Sequence, residues 1–503
     1  MKTKKILASI LAVASVLTMT ACNSNSETPA NTGDSANTGN SANTNSDNAA
    51  DTQGESNEPA KDYTKFQAIV DDVNSKWANV RDKNEKLAAY LAEDHSGDTG
   101  SGTVNAHVDP IDTSNIPTGL TLSVLSHRTD LNKEGNYYLN EMTDAFEEKY
   151  GCTVEYTTTT KYASDVGTRM STNDYGDVLM IPNSVKIQDL GNYFVPLGTV
   201  DELSQKYNWI DKKSYEGIVY GIPHVGNVSG GIVYNKRVWK EAGITELPKT
   251  PEEFIADLKQ IKENCPDVIP YYTNFAASDW TLDQWVALVG SAYGDPDYKN
   301  NILINKEDPL KQDGGYYKVF KLIYDVFSEP SILEEDPNSS DWEASKPWLA
   351  EGKIATMTMG SWAVSQCQEF AVQNGQDPAD VGFMPAPFTV DGVQYGETAA
   401  DYAMGINKNI DEDHIKLAMA YITWFVEESP YTEHEIGIPT LKGGSFPSFM
   451  EGAWNDCILI EEAPAPDGLE GVFDEIDKEA EINFWGGEAG NFKIRIGEAA
   501  LTA

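Results

Sequence analysis

The chain has 503 residues, with 37 Lys and Arg against 79 Asp and Glu, a formal net charge of −42 and 10% aromatic residues. That length allows roughly two to four domains with large cores. The charge excludes nucleic-acid binders, which need Lys and Arg clusters against phosphate, and bodies held on anionic lipid by their own surface. Five scattered Cys exclude a small disulfide-framework fold.

In chain order, Lys2, Lys4 and Lys5 precede an apolar run from Ile6 to Met19 and small residues before Cys22. This is the three-part layout of an export signal, and the run is short of the roughly 20 residues a spanning helix needs. Leu17-Thr-Met-Thr-Ala-Cys22 resembles a bacterial lipoprotein cleavage site, although Met19 stands where Leu is more usual. The resemblance implies removal of residues 1–21 and lipid on Cys22; the alternative is plain secretion with Cys22 incidental. Residues 22–60 contain no Lys, Arg, Val, Ile, Leu or aromatic side chain and repeat ANTGDS, ANTGNS and ANTNSD. Such a segment has nothing to bury and is expected to be a disordered tether, with a reach of about 35 Å.

Residues 61–95 are expected to be helical. Phe66, Val70, Val73, Trp77, Val80, Asn84, Leu87 and Leu91 form an unbroken heptad seam. It reads either as an amphipathic helix laid on the body or as a stalk for helix-mediated self-association. A Gly/Ser/Asp/Pro stretch from Asp94 to Gly119 then separates it from the rest.

From Leu120 the chain alternates. Strand patterns at Leu120–Arg128, Cys152–Thr160 and Gly176–Pro182 enclose helical patterns at Asn136–Tyr150 and Tyr162–Thr172. This order predicts a parallel sheet, with ligands beyond the carboxyl ends of its strands. Thr250-Pro-Glu-Glu253 is a capping box with Pro at the first helical position. Ile354–Met359, Val381–Pro385 and Tyr402–Ile406 are further strand candidates, and Ile415 to Val426 gives an apolar helical face. Two sheet-bearing lobes fit this count.

Tyr215-Glu-Gly-Ile-Val-Tyr-Gly-Ile-Pro-His224 leads into Gly231-Ile-Val-Tyr-Asn-Lys236, VWKEAG from Val238 and PKTPEEF from Pro248. Glu351-Gly-Lys-Ile-Ala355, Met359-Gly-Ser-Trp362, Gly382-Phe-Met-Pro385 and Ala403-Met-Gly-Ile-Asn-Lys408 follow in order. The set resembles the extracellular solute-binding proteins of ABC importers, in the family-1 group that takes mainly carbohydrates. It covers roughly Leu120 to Glu428; residues 60–118 match nothing in that family, and the tail beyond Ser429 matches weakly.

The resemblance implies an α/β, two-lobed periplasmic-binding-protein-like fold over residues 119–503, with a ligand cleft between lobes and the N-terminal helix in front. Lobe 1 is expected over about 119–224 plus a returning segment near 355–405. Lobe 2 is expected over about 228–350 plus C-terminal helices. Carried over loop by loop, the ligand-binding candidates are His127, Arg128 and Asp130, then Asn183. His224 and Asn227 follow at the crossing between lobes, with Trp280, Trp362, Asp401 and Tyr402 completing the set. Sugar rings need flat aromatics and planar polar groups. Each candidate has a plainer reading: Trp280 and Trp362 as core, His127 and Arg128 paired with Asp130, His224 as a turn residue. Trp342, Trp348 and Trp485 are weaker candidates still.

No Walker pattern appears, so a separate ATPase is expected beside the permease. No GxSxG elbow occurs, and His434-Glu435 lacks the second His of a zinc-protease helix. Asp336-x-Asn338-x-Ser340 departs from a calcium loop at Asp341 and Pro347. Cys152, Cys265, Cys367 and Cys457 read as buried thiols or up to two bridges. No metal, cofactor or enzymatic activity is expected. The expected function is capture of a sugar or oligosaccharide at the extracytoplasmic face of a bacterial membrane, for delivery to a permease. The alternatives are a polyamine or peptide binder and a secreted glycoside hydrolase, which would need two carboxylates across a cleft.

Overall fold

Among the described residues, β-branched runs alternating with amphipathic helices build one five-stranded and three three-stranded sheets around three apolar cores. The computed structural model describes residues 61–503 apart from 94–105, 129–136, 160, 161, 183, 445, 446, 448–451, 467, 488 and 489. The signal, Cys22, the tether, Asp130 and Asn183 lie outside the described residues.

The strands that position the site are, in chain order, β1 (Thr121–Ser126), β2 (Thr153–Thr158), β3 (Val178–Met180), β4 (Ile222–Pro223), β5 (Gly226–Val228), β6 (Gly231–Asn235), β7 (Thr356–Met359), β8 (Val381–Met384), β9 (Tyr395–Ala400) and β10 (Ala403–Ile406). The first sheet has the order β2-β1-β3-β10-β4. β1 runs parallel to β2 and β3, while β10 is antiparallel to β3 and β4. Helices Tyr137–Tyr150 and Tyr162–Ser171 connect the parallel strands. Leu122, Val124, Phe146, Val178, Leu179, Met404 and Tyr421 meet in the first core.

The second sheet is β7-β6-β8, antiparallel throughout. Successive side chains of a strand face opposite sides, and β6 follows this: Ile232 and Tyr234 enter one core, Val233 another. Its pairings correct one expectation. Residues 356–359 and 381–384 hydrogen-bond to β6 and belong to the second lobe, so the chain returns to the first only at β10. The Glu412–Glu427 helix then packs on the first core.

The lobes are joined where β5 and β9 run antiparallel, with Thr398 opposite Val228, Ala399 opposite Asn227 and Ala400 opposite Gly226. Thr250 caps the Pro251–Asn264 helix, its hydroxyl accepting from Glu253 N at 3.2 Å. Among the described residues no disulfide joins Cys152, Cys265, Cys367 and Cys457.

The heptad seam is used within the chain. It breaks at Asn84, whose side chain accepts from Leu87 N at 2.9 Å and starts a second helix, Glu85–Leu91, after Thr64–Arg81. Phe66, Val70, Val73, Trp77, Val80 and Leu87 are buried in the second core, and only Leu91 is exposed. Trp77 lies 5.2 Å from the Phe473 ring and 6.1 Å from Phe484. Arg495 reaches Asp72 at 2.9 Å, and Asn74 exchanges hydrogen bonds with Leu310 backbone. The stalk reading fails for this seam, because its apolar face already covers the protein's own helices.

Replacing Trp77 by Ala is expected to cost about 3–5 kcal/mol, the range for a fully buried aromatic. Urea denaturation measures this. A loss near zero would show that the helix is not part of the second core.

Candidate functional site at the crossing strands

Two groups of side chains sit at the ends of the β5–β9 ladder. Val225 to Val228 spans about 10 Å at strand rise. At the Val225 end, the Asp401 amide donates to Val225 O at 2.9 Å. The Asp401 carboxylate then stands between two imidazoles, 3.5 Å from His224 Nε2 and 3.8 Å from His127 Nε2. Tyr402 lies against His127, with centroids 4.4 Å apart. Tyr162 holds this group from below, donating to Leu125 O and Met180 O at the carboxyl ends of β1 and β3.

His224 is fully buried, and its Nδ1 is 2.6 Å from Tyr402 O. A carbonyl only accepts, so Nδ1 carries the proton. Burial pushes the imidazole below its usual pKa, against the pull of Asp401. His224 is therefore locked to the Tyr402 backbone and shut off from the surface, where the resemblance implied a ligand contact. Burial likewise pushes the Tyr402 phenol up to about 12, so it stays a neutral donor and acceptor.

Arg128 turns to the tail of the chain. It is ion-paired with Glu435 and donates to Tyr431 Oη at 3.1 Å. Burial alone would raise the Glu435 carboxyl, but the hydrogen bond from His434 and the Arg128 charge hold it at about 2. Glu435 and Tyr431 lie where the sequence resemblance is weak, so no motif flagged them.

At the Val228 end the Gly360-Ser-Trp362 turn clamps the crossing strand. Ser361 Oγ accepts from Val228 N at 3.0 Å, and Ser361 N donates to Val228 O at 3.0 Å. Gly360 is required here, since a Cβ would lie 2.9 Å from Ser229 O. Its amide donates to Gln284 Oε1 at 3.2 Å. Trp362 then joins Trp280 and Trp342, with centroids 5.3 Å (280–342), 5.6 Å (342–362) and 6.3 Å (280–362) apart. All three are partly exposed. Trp342, rated low from sequence, is central to the trio; only its fold neighbours reveal that. Asn227 lies on the ladder between the two groups, partly exposed.

The model of the family described as bacterial extracellular solute-binding proteins matches residues 130–430. The chain belongs to this family. Among solved structures, the solute-binding protein is 38% identical to a manno-oligosaccharide-specific solute-binding protein from Bifidobacterium animalis subsp. lactis ATCC 27673 in complex with mannotriose. That match has a TM-score of 0.70 and covers 76% of this chain and 90% of that one. A second binding protein of an ABC transporter from the same strain, in complex with mannobiose, is 37% identical with TM-score 0.70, over 81% and 95% of the two chains. The diacetylchitobiose-binding protein DasA of Streptomyces coelicolor is 47% identical over 223 residues, 41% of this chain. This solute-binding protein spans just under half of that relative, 46% of its length. The two-lobed architecture of the solved relatives is the one described above.

The Glu435 carboxyl has a folded pKa below its unfolded value, so its stabilising contribution is complete above the ordinary carboxylate range. It is lost as the pH falls from about 4.5 to about 2. Glu435→Gln is expected to flatten the acid limb of stability against pH in that window. An acid limb identical to wild type would show that the Arg128 pair does not contribute.

Proposed function

We propose that this protein captures an oligosaccharide between its lobes and hands it to the permease of an ABC importer powered by a separate ATPase. The observation that carries the reading is the partly exposed tryptophan trio, one crossing strand away from a cluster of imidazole, carboxylate and phenol groups. Pyranose rings have apolar faces, which suit flat indoles, and a rim of hydroxyls, which suits mixed donors and acceptors. Relatives solved with mannotriose and mannobiose, and a relative named for diacetylchitobiose, support short oligosaccharides.

In this reading Trp280, Trp342 and Trp362 stack on sugar rings. His127, Asp401 and Tyr402, together with Asp130, Asn183 and Asn227, meet hydroxyls. His224 and Arg128 act through Asp401 and Glu435 as positioning residues. No bond is made or broken; the sugar stabilises the arrangement of lobes that encloses it. Residues 1–21 are removed, Cys22 is lipidated, and residues 22–60 tether the body to the outer face of the membrane. Two acyl chains hold where one does not.

Thermal-shift and calorimetric screening tests the ligand class. A melting temperature raised by manno- or chito-oligosaccharides is expected, and Trp362→Ala should weaken binding by about tenfold or more with the fold retained. A response to spermidine and to no glycan would sink the carbohydrate reading, and release of new reducing ends would mark a hydrolase. For the anchor, cells fed labelled palmitate should label the wild type and not Cys22→Ser. Equal labelling would remove Cys22 as the lipidation site.

A further inference from the structure

Trp485 stands apart from the other tryptophans. Among the described residues it is the one aromatic among the large apolar side chains left exposed, at 51%. Neither a ring contact nor a hydrogen bond engages its indole among those residues. Its support, however, is rigid. The neighbouring Phe484 is fully buried, with its ring 4.3 Å from Tyr316. The Phe484 amide donates to Asp477 Oδ2 at 3.1 Å, and its carbonyl accepts from the buried Lys493 at 2.7 Å. Lys493 is also ion-paired with Asp283, one residue before the Gln284 that holds Gly360. An exposed aromatic on so fixed a mount loses little entropy on contact with a ligand.

Trp485 lines a cavity of about 30 Å³, together with Val286, Val289, Gly290, Glu397 and Glu462. That is room for about one water or hydroxyl group. Glu397 opens on it with part of its surface accessible, its carboxylate hydrogen-bonded by the Gly290 amide. A Cβ at Gly290 would run into that carboxylate, so the site is built around a glycine. Burial and the neighbouring Glu462 push the Glu397 carboxyl up, while Lys299 and Lys212 outweigh burial and pull Glu462 down.

Backbone contacts link the surroundings of the cavity to those of the tryptophan trio. Gly487 abuts the Asp279 backbone, next to Trp280. Two short helices, Asp283–Val286 and Val289–Tyr293, carry the chain from Gln284, at the Gly360 turn, to Gly290, at Glu397. The Ser229 amide donates to Glu397 O at 2.8 Å, and Ser229 O lies against Gly360.

We infer that Trp485, with Glu397 in the cavity behind it, forms an additional sugar subsite that seats a ring of an oligosaccharide beyond the tryptophan trio. This rests on the carbohydrate reading above. The aromatic takes the ring face, and the cavity takes one projecting hydroxyl in place of a water. The subsite makes chain length, rather than sugar type alone, a basis of selection.

The test is calorimetric titration of the full-length mature protein with manno- and chito-oligosaccharides of increasing length, in wild type, Trp485→Ala, Trp485→Phe and Glu397→Gln. Wild type should bind longer chains more tightly than disaccharides. Trp485→Ala should lose that increment, about tenfold, with disaccharide affinity unchanged, and Trp485→Phe should recover most of it. Glu397→Gln should retain part of it, because an amide still pairs with a hydroxyl. Sugar binding in which Trp485→Ala matches wild type at every length, or loses affinity equally at every length, overturns the subsite and leaves the carbohydrate reading standing. A wild type that binds no glycan overturns both.

Discussion

The backbone hydrogen bonds between β5 and β9 fix how the two groups of the candidate site stand to each other. Two crossings of the chain between lobes are paired strand to strand, and the polar group and the aromatic group are fastened to opposite ends of that ladder. A one-residue slip in a strand exchanges its two faces, so the ladder cannot slide without moving His224 and Trp362 together. It can bend and twist. Hinge motion is therefore compatible with the site, and shear along the strands is not.

That constraint explains where polarity is placed. At the first-lobe end, buried His224 is fixed by the Tyr402 carbonyl and leaves Asp401 to face both imidazoles. At the second-lobe end, indole packs on indole at steep angles, 85° for Trp280 with Trp342 and 66° for Trp342 with Trp362. Edge-to-face contact holds the rings while leaving face area uncovered. The two ends need different chemistry because each is built on a different sheet. The surface acidity, at −42 overall, touches neither requirement and serves solubility.

Most of the lobe architecture was legible in the sequence, because period-two runs such as Leu122 to Leu125 and capping signals such as Thr250 are local. The return point was not. Ile354 to Met359 has strand composition in either lobe, and only its pairing with β6 decides the matter. The seam from Phe66 to Leu91 named the buried face of a helix correctly, since amphipathicity is local, but its partners lie far along the chain, at Tyr324, Phe473 and Phe484. His127, His224, Asp401, Tyr402, Trp280 and Trp362 were named from their loops as candidates, and the structure brings these six into two clusters. Trp342 was rated a weak candidate and Glu435 met only as part of a failed zinc-protease pattern, because nothing beside them in sequence signals their neighbours. Each becomes visible only through a contact made across the fold.

The second core collects residues from three distant stretches: Phe66 to Leu87, Ile232 to Phe388, and Leu469 to Ala500. The first core is drawn largely from between them, from Leu122 to Val225 and from Met404 to Tyr431. Closing such long loops is slow relative to local contacts. In order of synthesis, the first core is complete once residue 431 is made, while the helix bearing Trp77 waits for the last thirty or so residues of the chain. The lobe that contains the earliest described segment is thus the last to close, and until then the apolar face that carries Trp77 lacks its C-terminal cover.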